Sequence, residues 1–587
     1  MHNPSGFERD WSSLGLYFTG VEAEQLRQIY RHFRARHYCY CSFENRFAKS
    51  GGLAAVTVNI LPYTQALGLY QSVQLFTPYY PHLMDADRLQ KTGHEWLVPF
   101  ADSLIQTELY QFIPPNQASA QNGMKEYYIK ADGYFNAQNA IGDPYLYYPG
   151  QPVENQKALV ENSLFFCQAV PYALQALGLE EGSVLHLQEW QTALLALTGK
   201  QAMLSGIVKS CLSMITLHNP YDAFLSCAAL QKVVPREKAD HVSRFLYSGA
   251  TAYQIGLSLI DAPITTVSDT FAQEFTQDAL QTVHFTPHLQ SYFLKNGVRG
   301  VNNGPFISFS NQFPKKENHT LHELREIKLK NRHQLLQILD AYQPTERFGE
   351  LSWRRGPLAD LPDDVPILVM SGRLDLMQKG FDVLLSALEK FSQDEIKAVL
   401  TPMPVRAADL DYFYQVACKC RGNLTVFPMR MKEGYAELQA GSTFGLMPSI
   451  YEPFGAAIEY MANGTVTIAR ATGGLIDQIE ANVSGLLYRE PVDAASPEGI
   501  KAFMSTPIAA LRKQNAWFNA MADSLADCLI QASALYRNQP DRYYAMVQQG
   551  FLQASRFSWS KTAESYASLV RQVAPFSSDF HSEKGVQ

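Results

Sequence analysis

Two glycine-rich turns, one in each half of the chain, have residue types that bind phosphate. Lys49-Ser50-Gly51-Gly52-Leu53 follows a predicted strand and opens a predicted helix, and Thr472-Gly473-Gly474-Leu475-Ile476-Asp477 lies at an equivalent junction. Glycines there let backbone N–H groups approach an anion at a helix N-terminus, and a lysine adds a mobile cation. A tight turn without a ligand has the same pattern, so each loop alone is a weaker indication than the pair.

Charged residues follow two strands in the second half of the chain. Arg373 and Lys379 lie on one loop after the predicted strand 367–370. They could clamp a diphosphate and stabilise the negative charge that develops as it leaves. Glu452 follows the predicted strand 444–447, where its carboxylate can accept hydrogen bonds from sugar hydroxyls. A solvated pair of cations beside an aspartate is the alternative interpretation of the first loop.

The elements that must position these residues alternate short β-rich runs with longer helical segments. This alternation is typical of βαβ units and parallel sheets, so we predict an α/β protein with two doubly wound domains facing a central ligand cleft. The predicted strands are 38–43, 73–76, 184–187, 214–217 and 264–267 in the first series, and 367–370, 398–400, 424–427, 444–447, 466–469 and 486–488 in the second.

The sequence predicts five segments. They are an N-terminal extension at 1–36, a first domain at 37–355, a proline-rich linker at 356–366, a second domain at 367–556 and a C-terminal segment at 557–587. The first domain contains an insertion at 81–150 that is rich in aromatic residues. Its rings could stack on sugars, but we favour the core of an extra subdomain. They include Tyr127, Tyr128, Tyr134, Phe135, Tyr145, Tyr147 and Tyr148.

Composition excludes several classes of protein. The 587 residues carry 49 basic and 56 acidic side chains, a net charge of −7 that argues against a nucleic-acid-coating protein. No apolar run approaches the length of a membrane span, and the start of the chain shows no secretory signal, so we expect a cytoplasmic protein. The eight cysteines fit neither a zinc site nor a disulfide framework. We interpret the triplets Asp85 to Asp87 and Asp409 to Asp411 as surface helices rather than metal sites.

The motifs, taken in order, resemble those of bacterial glycogen synthases and plant starch synthases. The resemblance covers about residues 38 to 573 and includes the loop Lys49 to Leu53. The other matching motifs are His186-Leu187-Gln188-Glu189-Trp190-Gln191, Ile215-Thr216-Leu217-His218-Asn219, Thr266-Val267-Ser268-Asp269-Thr270-Phe271-Ala272, Asn296-Gly297-Val298, Arg373 to Gly380, Met447-Pro448-Ser449, Glu452-Pro453-Phe454-Gly455, Thr472 to Asp477 and Phe557-Ser558-Trp559-Ser560-Lys561.

The resemblance implies a retaining glycosyltransferase of GT-B fold, with two Rossmann-like domains. It would move glucose from a nucleotide sugar to the non-reducing end of an α-1,4-glucan, with ADP-glucose favoured over UDP-glucose as donor. The departing phosphate oxygen would take the acceptor's proton, and neither a metal nor a cofactor is expected. The second domain would bind the nucleotide sugar, and the last helix, within 557–587, would return to the first domain. The oligomeric state is not determined by the sequence.

The resemblance also implies residue roles. The catalytic set would be His218, holding the glucose C6 hydroxyl, Glu189, orienting sugar and acceptor, Arg373 and Lys379, on the diphosphate, and Glu452, on the glucose 3- and 4-hydroxyls. Other donor contacts would come from Lys49, Gly51, Gly52, Asn296, Phe454, Gly455, Thr472, Gly473 and Gly474. Tyr435 would stack on the base, and Tyr145 would line the acceptor side.

Several positions depart from the family pattern. Ala55 stands where the family has aspartate, Gln188 replaces a second histidine, Glu189 replaces an aspartate, and Arg299 replaces an acidic residue after Asn296-Gly297-Val298. Glu459 is an uncertain counterpart of the family's second acidic or amide residue. These departures leave two alternatives open: a related transferase that uses UDP-glucose or a different acceptor, and a catalytically inactive glucan-binding or regulatory homologue.

Overall fold

The computed structural model divides into two compact units. The first comprises Met1–Val267, Phe285–Gly304 and Trp559–Gln587, and the second comprises Ser268–His284 and Pro305–Ser558. Within them the structure describes residues 12–49, 51–83, 86–114, 124–136, 153–234, 249–306, 313, 319–356, 358, 360–392, 394–404, 407–420, 423–431, 433–506 and 512–577.

Strands and helices alternate along most of the described chain. The strands are β1 (His37–Cys41), β2 (Ser72–Pro78), β3 (Leu89–Phe100), β4 (Ser103–Phe112), β5 (Met124–Ala131), β6 (Glu181–Gln188), β7 (Ser210–Leu217), β8 (Phe224–Leu225), β9 (Ala250–Thr251), β10 (Ile264–Thr266), β11 (Val298–Gly300), β12 (Trp353–Arg355), β13 (Ile367–Arg373), β14 (Lys397–Met403), β15 (Asn423–Val426), β16 (Phe444–Met447), β17 (Val466–Arg470) and β18 (Gly485–Tyr488). The helices are α1 (Gly20–His32), α2 (Leu53–Ala66), α3 (Val153–Ala176), α4 (Leu195–Leu204), α5 (Cys227–Leu230), α6 (Ala252–Leu259), α7 (Asp269–Gln277), α8 (Gln290–Asn296), α9 (Leu321–Ala341), α10 (Phe381–Leu388), α11 (Ala408–Ala417), α12 (Tyr435–Gly441), α13 (Ala457–Ala462), α14 (Gly474–Gln478), α15 (Pro497–Met504), α16 (Ala516–Asn538), α17 (Pro540–Ser555) and α18 (Trp559–Val573).

The first unit is built on a sheet with strand order β11-β10-β7-β6-β1-β2-β5-β4-β3. The pairings from β11 to β5 are parallel, and β4 and β3 add an antiparallel edge. The central strands are almost wholly buried, as expected where helices cover both faces of a parallel sheet. Each strand of the first predicted series is confirmed.

The second unit has its own sheet, with strand order β12-β15-β14-β13-β16-β17-β18. All its pairings are parallel except that of β12 with β15. The strands of the second predicted series are likewise confirmed. Helix α10, which follows the loop after β13, packs with its apolar side chains buried. Parallel strands place all their carboxyl ends at one edge of a sheet, so residues that follow the strands in sequence share that edge.

The aromatic insertion contributes to the sheet of the first unit rather than forming a separate subdomain. Its strands β3, β4 and β5 continue the sheet beyond β2. Tyr128 is fully buried and packs with Phe47 and Phe112, and the ring of Tyr134 is stacked on Phe165 at 4.1 Å. These rings therefore form core rather than a sugar-stacking surface, as favoured, but that core belongs to the first unit and not to an extra subdomain. Tyr145, together with Tyr147 and Tyr148, lies outside the described residues.

The N-terminal extension packs on the first unit. A capping box at Thr19 starts α1, and Tyr30 on this helix donates a hydrogen bond to the buried Asp261 at 3.1 Å. Lys200 satisfies the same carboxylate at 3.0 Å and donates to the carbonyl of Leu259. A buried carboxylate needs such partners, so the extension contributes to the stability of the unit.

The boundary between the units differs from the predicted linker. The sequence predicts residues 319–355 in the first domain, but α9 belongs to the second unit. The ammonium group of Lys328 on α9 is buried and donates to the carbonyls of Ala440 and Ser442 at 2.7 and 2.6 Å. Arg332, also buried, donates to the carbonyl of Pro362. Prolines mark a break in regular structure, whereas these partners decide the unit to which a helix belongs.

The last helix, α18, lies in the first unit. Its Tyr566 hydroxyl accepts a hydrogen bond from Thr216 on β7, and Thr562 donates to the carbonyl of Asn302. Gly304 packs against the start of this helix so closely that an added Cβ would lie 2.6 Å from the backbone nitrogen of Trp559. None of the helices in the described part of the chain is long and apolar enough to cross a membrane.

Candidate active site

In the first unit, polar residues follow β6 and β7 at the carboxyl edge of the sheet. Gln188 ends β6 and Glu189 follows it, while His218 and Asn219 follow β7. Tyr253, the second residue of α6, completes the group. We refer to these five residues as the first-unit cluster. The structure therefore brings the predicted residues Glu189 and His218 together.

His218 is a buried and neutral histidine within this cluster. Its Nε2 lies 2.7 Å from the Oε1 of Gln188. Burial lowers the pKa of His218 to about 3, because the charged imidazolium loses its hydration. The ring can thus accept or donate hydrogen bonds at neutral pH without carrying charge.

Glu189 is a buried carboxyl group on strained backbone. Its φ of 63° and ψ of 175° fall in a region that is nearly restricted to glycine. The side chain accepts hydrogen bonds from the Tyr253 hydroxyl at 3.1 Å and the Asn219 amide at 3.2 Å. Burial nevertheless raises its pKa to about 8. Strain of this kind persists only where surrounding contacts enforce it, which marks Glu189 as a functional candidate.

The first glycine loop is partly occupied by a carboxylate of the protein itself. Glu44 is buried and accepts hydrogen bonds from the N–H groups of Gly51 and Ala54, at 2.9 and 3.2 Å. The Gly51 amide is therefore already bonded, which the sequence prediction did not anticipate. Lys49 is exposed, and the Gly52 amide has no hydrogen-bond partner among the described residues.

Asn296, expected to contact the donor, does not share the sheet edge of the first-unit cluster. It ends α8 and precedes β11, whose first residue pairs with the first residue of β10, so Asn296 lies at the amino edge of the sheet. There it lines a cavity of about 250 Å³ with Ser13 and Lys295. Asn303, which follows β11, lies instead at the carboxyl edge. It is 2% exposed, and its buried Oδ1 has no hydrogen-bond partner among the described residues.

In the second unit, the loops after β13 and β16 carry the predicted charged residues. The ammonium group of Lys379 lies 2.7 and 3.0 Å from the two carboxylate oxygens of Glu452. Ser449 donates to the same carboxylate at 2.8 Å, and Arg373 donates to Gln378 at 3.1 Å. These five residues are the second-unit cluster. The structure thus brings Arg373, Lys379 and Glu452 to one sheet edge.

Two buried arginines hold the loops that carry this cluster, and sequence reasoning missed both. Arg470 donates to the carbonyl of Ile450 at 2.7 Å and pairs with Glu490. Arg512 donates to the carbonyl of Leu376, also at 2.7 Å. No motif in the sequence distinguishes them, because their role depends on backbone carbonyls that are distant in the chain.

The second glycine loop is also bonded within the protein. Gly473 has a φ of 47°, and a Cβ there would lie 2.0 Å from the carbonyl oxygen of Glu452. Its N–H donates to the half-buried carboxylate of Glu274 at 2.7 Å, and Thr472 donates to the same oxygen at 3.3 Å. The N–H of Gly474 donates to the Glu452 carbonyl. The glycines of this loop are thus required by close packing against the segment that carries Glu452.

The two residues after Pro453 also have structural roles. The Phe454 side chain is buried, with its ring centroid 5.8 Å from that of Phe306 and 6.1 Å from that of Phe557. Gly455 has a φ of 94°, and a Cβ there would lie 2.9 Å from the Glu452 Cγ. A ligand contact by Phe454 would therefore use its backbone.

Glu459 is bonded within the core of the second unit, whereas Tyr435 lies near the end of β13. Glu459 is buried and accepts a hydrogen bond from the N–H of Phe306 at 2.6 Å, and burial raises its pKa to about 7. Tyr435 begins α12 and interacts with Ser371 near the end of β13, and burial raises its pKa. Tyr435 thus shares the carboxyl edge with the second-unit cluster.

Among the described residues, no group of three or more His, Cys, Asp and Glu could hold a metal ion.

Each cluster can do a distinct kind of chemistry. The second-unit cluster presents two cations and a carboxylate, which suits a diphosphate and the hydroxyls of a sugar. The first-unit cluster presents a neutral imidazole and a carboxyl group of raised pKa, which suits uncharged hydroxyl groups. Neither cluster contains an arrangement of nucleophile and base typical of hydrolases.

Comparisons with known proteins agree with this chemistry. The family model "Starch synthase catalytic domain" matches residues 39–290, and "Glycosyl transferases group 1" matches residues 359–519. The glycogen synthase of Geotalea uraniireducens (strain Rf4) is 25% identical over 492 residues, covering 81% of this chain and 91% of the relative. That of Alkaliphilus metalliredigens (strain QYMF) is 26% identical over 553 residues, covering 90% and 97%.

A solved structure has the same fold. The catalytic domain of starch synthase IV from Arabidopsis thaliana, bound to ADP and acarbose, aligns with a TM-score of 0.66 and 18% identity, covering 92% of this chain and 99% of that one. Two Rossmann-like units with these clusters define a glycosyltransferase of the GT-B class. The two family models together span most of both units. The chain belongs to the glycogen synthase and starch synthase family.

Proposed function

We propose that the chain transfers glucose from ADP-glucose to the non-reducing end of an α-1,4-glucan in the cytoplasm, with retention of configuration at C1. The observation that carries this proposal is the second-unit cluster, in which Lys379 and Glu452 meet on loops held by buried arginines. The names of the glycogen synthase relatives and the ADP-bound starch synthase support the choice of donor and acceptor.

We assign Arg373 and Lys379 to the diphosphate of the donor. Bond breaking at C1 leaves an oxocarbenium-like sugar and a diphosphate, so cations on the leaving group stabilise the transition state. Lys379 is already bonded to Glu452. A diphosphate that attracts the ammonium group would therefore loosen this ion pair and leave the carboxylate of Glu452 to accept hydrogen bonds from the glucose 3- and 4-hydroxyls.

We assign the first-unit cluster to uncharged groups of the substrates. The neutral ring of His218 would bind the C6 hydroxyl of the transferring glucose, and Glu189 would orient sugar and acceptor. Asn303 replaces Asn296 in this proposal, because its buried Oδ1 has no partner among the described residues and lies at the carboxyl edge. Lys49 and the Gly52 amide remain assigned to the donor, whereas the Gly51 amide is bonded to Glu44.

The reaction needs no base from the protein. The bond from C1 to the phosphate oxygen breaks with its electron pair on that oxygen. The same oxygen takes the proton of the acceptor's 4-hydroxyl, and the hydroxyl oxygen bonds to C1 on the face that the phosphate leaves. The role of the protein is then to position the acceptor and to stabilise charge.

The substrates are tested by incubating the purified protein with ADP-glucose or UDP-glucose, with and without maltooligosaccharides or glycogen. We expect glucan-dependent release of ADP and lengthening of the oligosaccharide. Faster release from UDP-glucose would reassign the donor. Release that glucans do not accelerate would favour a different acceptor, an alternative motivated by Ala55. No release with either donor, together with intact glucan binding, would favour the inactive homologue.

A further inference from the structure

The hydrogen bond between Gln188 and His218 has a direction that the surrounding contacts determine. The side-chain nitrogen of Gln188 donates to the carbonyl of His186 at 3.4 Å, and its Oε1 lies 2.7 Å from His218 Nε2. Only the amide nitrogen can donate to a carbonyl, so the amide oxygen must face the ring. Because an amide oxygen can only accept, His218 Nε2 must carry the ring proton.

The other ring nitrogen is then a hydrogen-bond acceptor. A neutral imidazole has one N–H, so a proton on Nε2 leaves Nδ1 with a free lone pair. His218 makes no other hydrogen bond among the described residues, so Nδ1 is uncommitted there. Burial disfavours a second proton on the ring.

The ionisable groups around the pair leave this arrangement intact. Glu189 adjoins Gln188 and is bonded to Asn219 and Tyr253 rather than to His218. On β6, the ring of His186 interacts electrostatically with His218, and burial keeps it neutral. His186 is itself bonded to Tyr38 on β1 and to Thr216 on β7 and packs against Tyr566 on α18. Burial alone accounts for the lowered pKa of His218.

We infer that Gln188 is a positioning residue that fixes His218 as the neutral Nε2–H tautomer, so that Nδ1 accepts a hydrogen bond from a hydroxyl of the transferring sugar. This inference rests on the proposed function of His218. It also gives a reason for the departure from the family pattern at position 188. A second histidine there could change its protonation state with pH, whereas the amide oxygen of Gln188 accepts the hydrogen bond from His218 at every pH at which the protein is folded.

The exchange Gln188→Glu tests the inference by changing one atom type. A carboxylate facing Nε2–H stabilises the imidazolium, which places a proton on Nδ1 and removes the acceptor. We expect kcat/KM for the nucleotide sugar to fall at least about tenfold at the acidic end of the profile and to recover as pH rises. The wild-type protein should not show this acidic fall of kcat/KM. Gln191→Glu is the matched control, because Gln191 is equally buried on the same segment and is not bonded to His218.

A second measurement depends neither on activity nor on the Gln188→Glu variant. Protein labelled with ¹⁵N at histidine reports the tautomer of each ring by NMR, and the signal of His218 is assigned by its loss in His218→Gln. We expect the Nε2–H tautomer at neutral pH in wild type. An Nδ1–H tautomer would overturn the inference, as would a pH profile of Gln188→Glu parallel to that of wild type. Absence of any sugar transfer would defeat the proposed function, while the NMR result would still decide the tautomer.

Discussion

Removing the Lys379 cation is the most direct perturbation of the second-unit cluster. The substitution Lys379→Gln retains a polar side chain of similar length but removes the charge. Glu452 loses the partner that lies 2.7 Å from its Oε2 and keeps the hydrogen bond from Ser449. The variant therefore separates the role of the charge from the shape of the loop.

The expected magnitudes follow from burial. The side chains of Lys379 and Glu452 are 21% and 6% exposed, so the pair is partly desolvated. Breaking a fully buried pair costs about 3 to 5 kcal/mol, and partial exposure of the lysine reduces this to about 1 to 3 kcal/mol of unfolding free energy. Loss of one preorganised charge contact to the leaving group should lower kcat by about a hundredfold or more.

The assay combines nucleotide release with urea unfolding of the same preparations. Lys390→Gln is the matched control, because Lys390 pairs with Asp523 at 2.8 Å on the exposed surface, with side chains 48% and 65% exposed. The control should change unfolding free energy by less than about 1 kcal/mol and leave turnover at the wild-type level.

A folded Lys379→Gln protein with near-native kcat would refute the assignment of this lysine to the leaving group. A loss of activity matched by an equal loss of folded protein would also fail to support it, since the charge would then matter only for stability. A double-mutant cycle with Glu452→Gln isolates the coupling between the two side chains.

Three further predictions concern other residues. Burial raises the pKa of Glu189 from 4.5 to about 8, so between these pH values the folded state keeps a proton that the unfolded state loses. The unfolding free energy should therefore fall by a few kcal/mol (order of magnitude) as pH rises through this range. Urea unfolding at several pH values should show this slope in wild type and not in Glu189→Gln. Steady-state kinetics should show at least about a tenfold loss of kcat/KM for the nucleotide sugar in Asn303→Ala and wild-type values in Asn296→Ala. A loss in Asn296→Ala with wild-type values in Asn303→Ala would assign the donor contact to Asn296, and equal effects would contradict the choice of Asn303. Gly473→Ala should lower the unfolding free energy measured in urea by at least about 2 kcal/mol, because its Cβ would lie 2.0 Å from a carbonyl oxygen. Gly206 has a φ of 78° and open space around it, so the control Gly206→Ala should lower it by about 1 kcal/mol. Equal losses in the two variants would contradict the close packing at Gly473.

Local pattern was sufficient to predict the central strands of both sheets and the charged residues of the second-unit cluster, but not β3, β4, β5, β11 and β12. Strand and helix periodicity are properties of short segments, and the loops after parallel strands lie at one edge of the sheet. Arg373, Lys379 and Glu452 each lie at or just after the end of such a strand, so their meeting at one edge could be predicted. For the same reason Glu189 and His218 could be placed together.

Tertiary structure decided which backbone groups are already bonded. The buried carboxylate of Glu44 and the half-buried carboxylate of Glu274 accept hydrogen bonds from the N–H groups of Gly51 and Gly473. Neither acidic residue belongs to the glycine loop that it contacts, so no local motif shows the pairing. Asn303 could have been found, because Asn303-Gly304 closely follows the short segment Val298 to Val301, but the earlier pair Asn296-Gly297 has the same local pattern.

The sequence by itself determined the central strands of both sheets and most of the charged residues that follow them, since these depend on the order of side chains along a segment. The tertiary structure alone decided the boundary of the units and the direction of the bond from Gln188 to His218. The first depends on the carbonyls that receive the Lys328 ammonium group, and the second on the His186 carbonyl that orients the amide. Both are contacts between strands or helices, where sequence separation carries no information about distance.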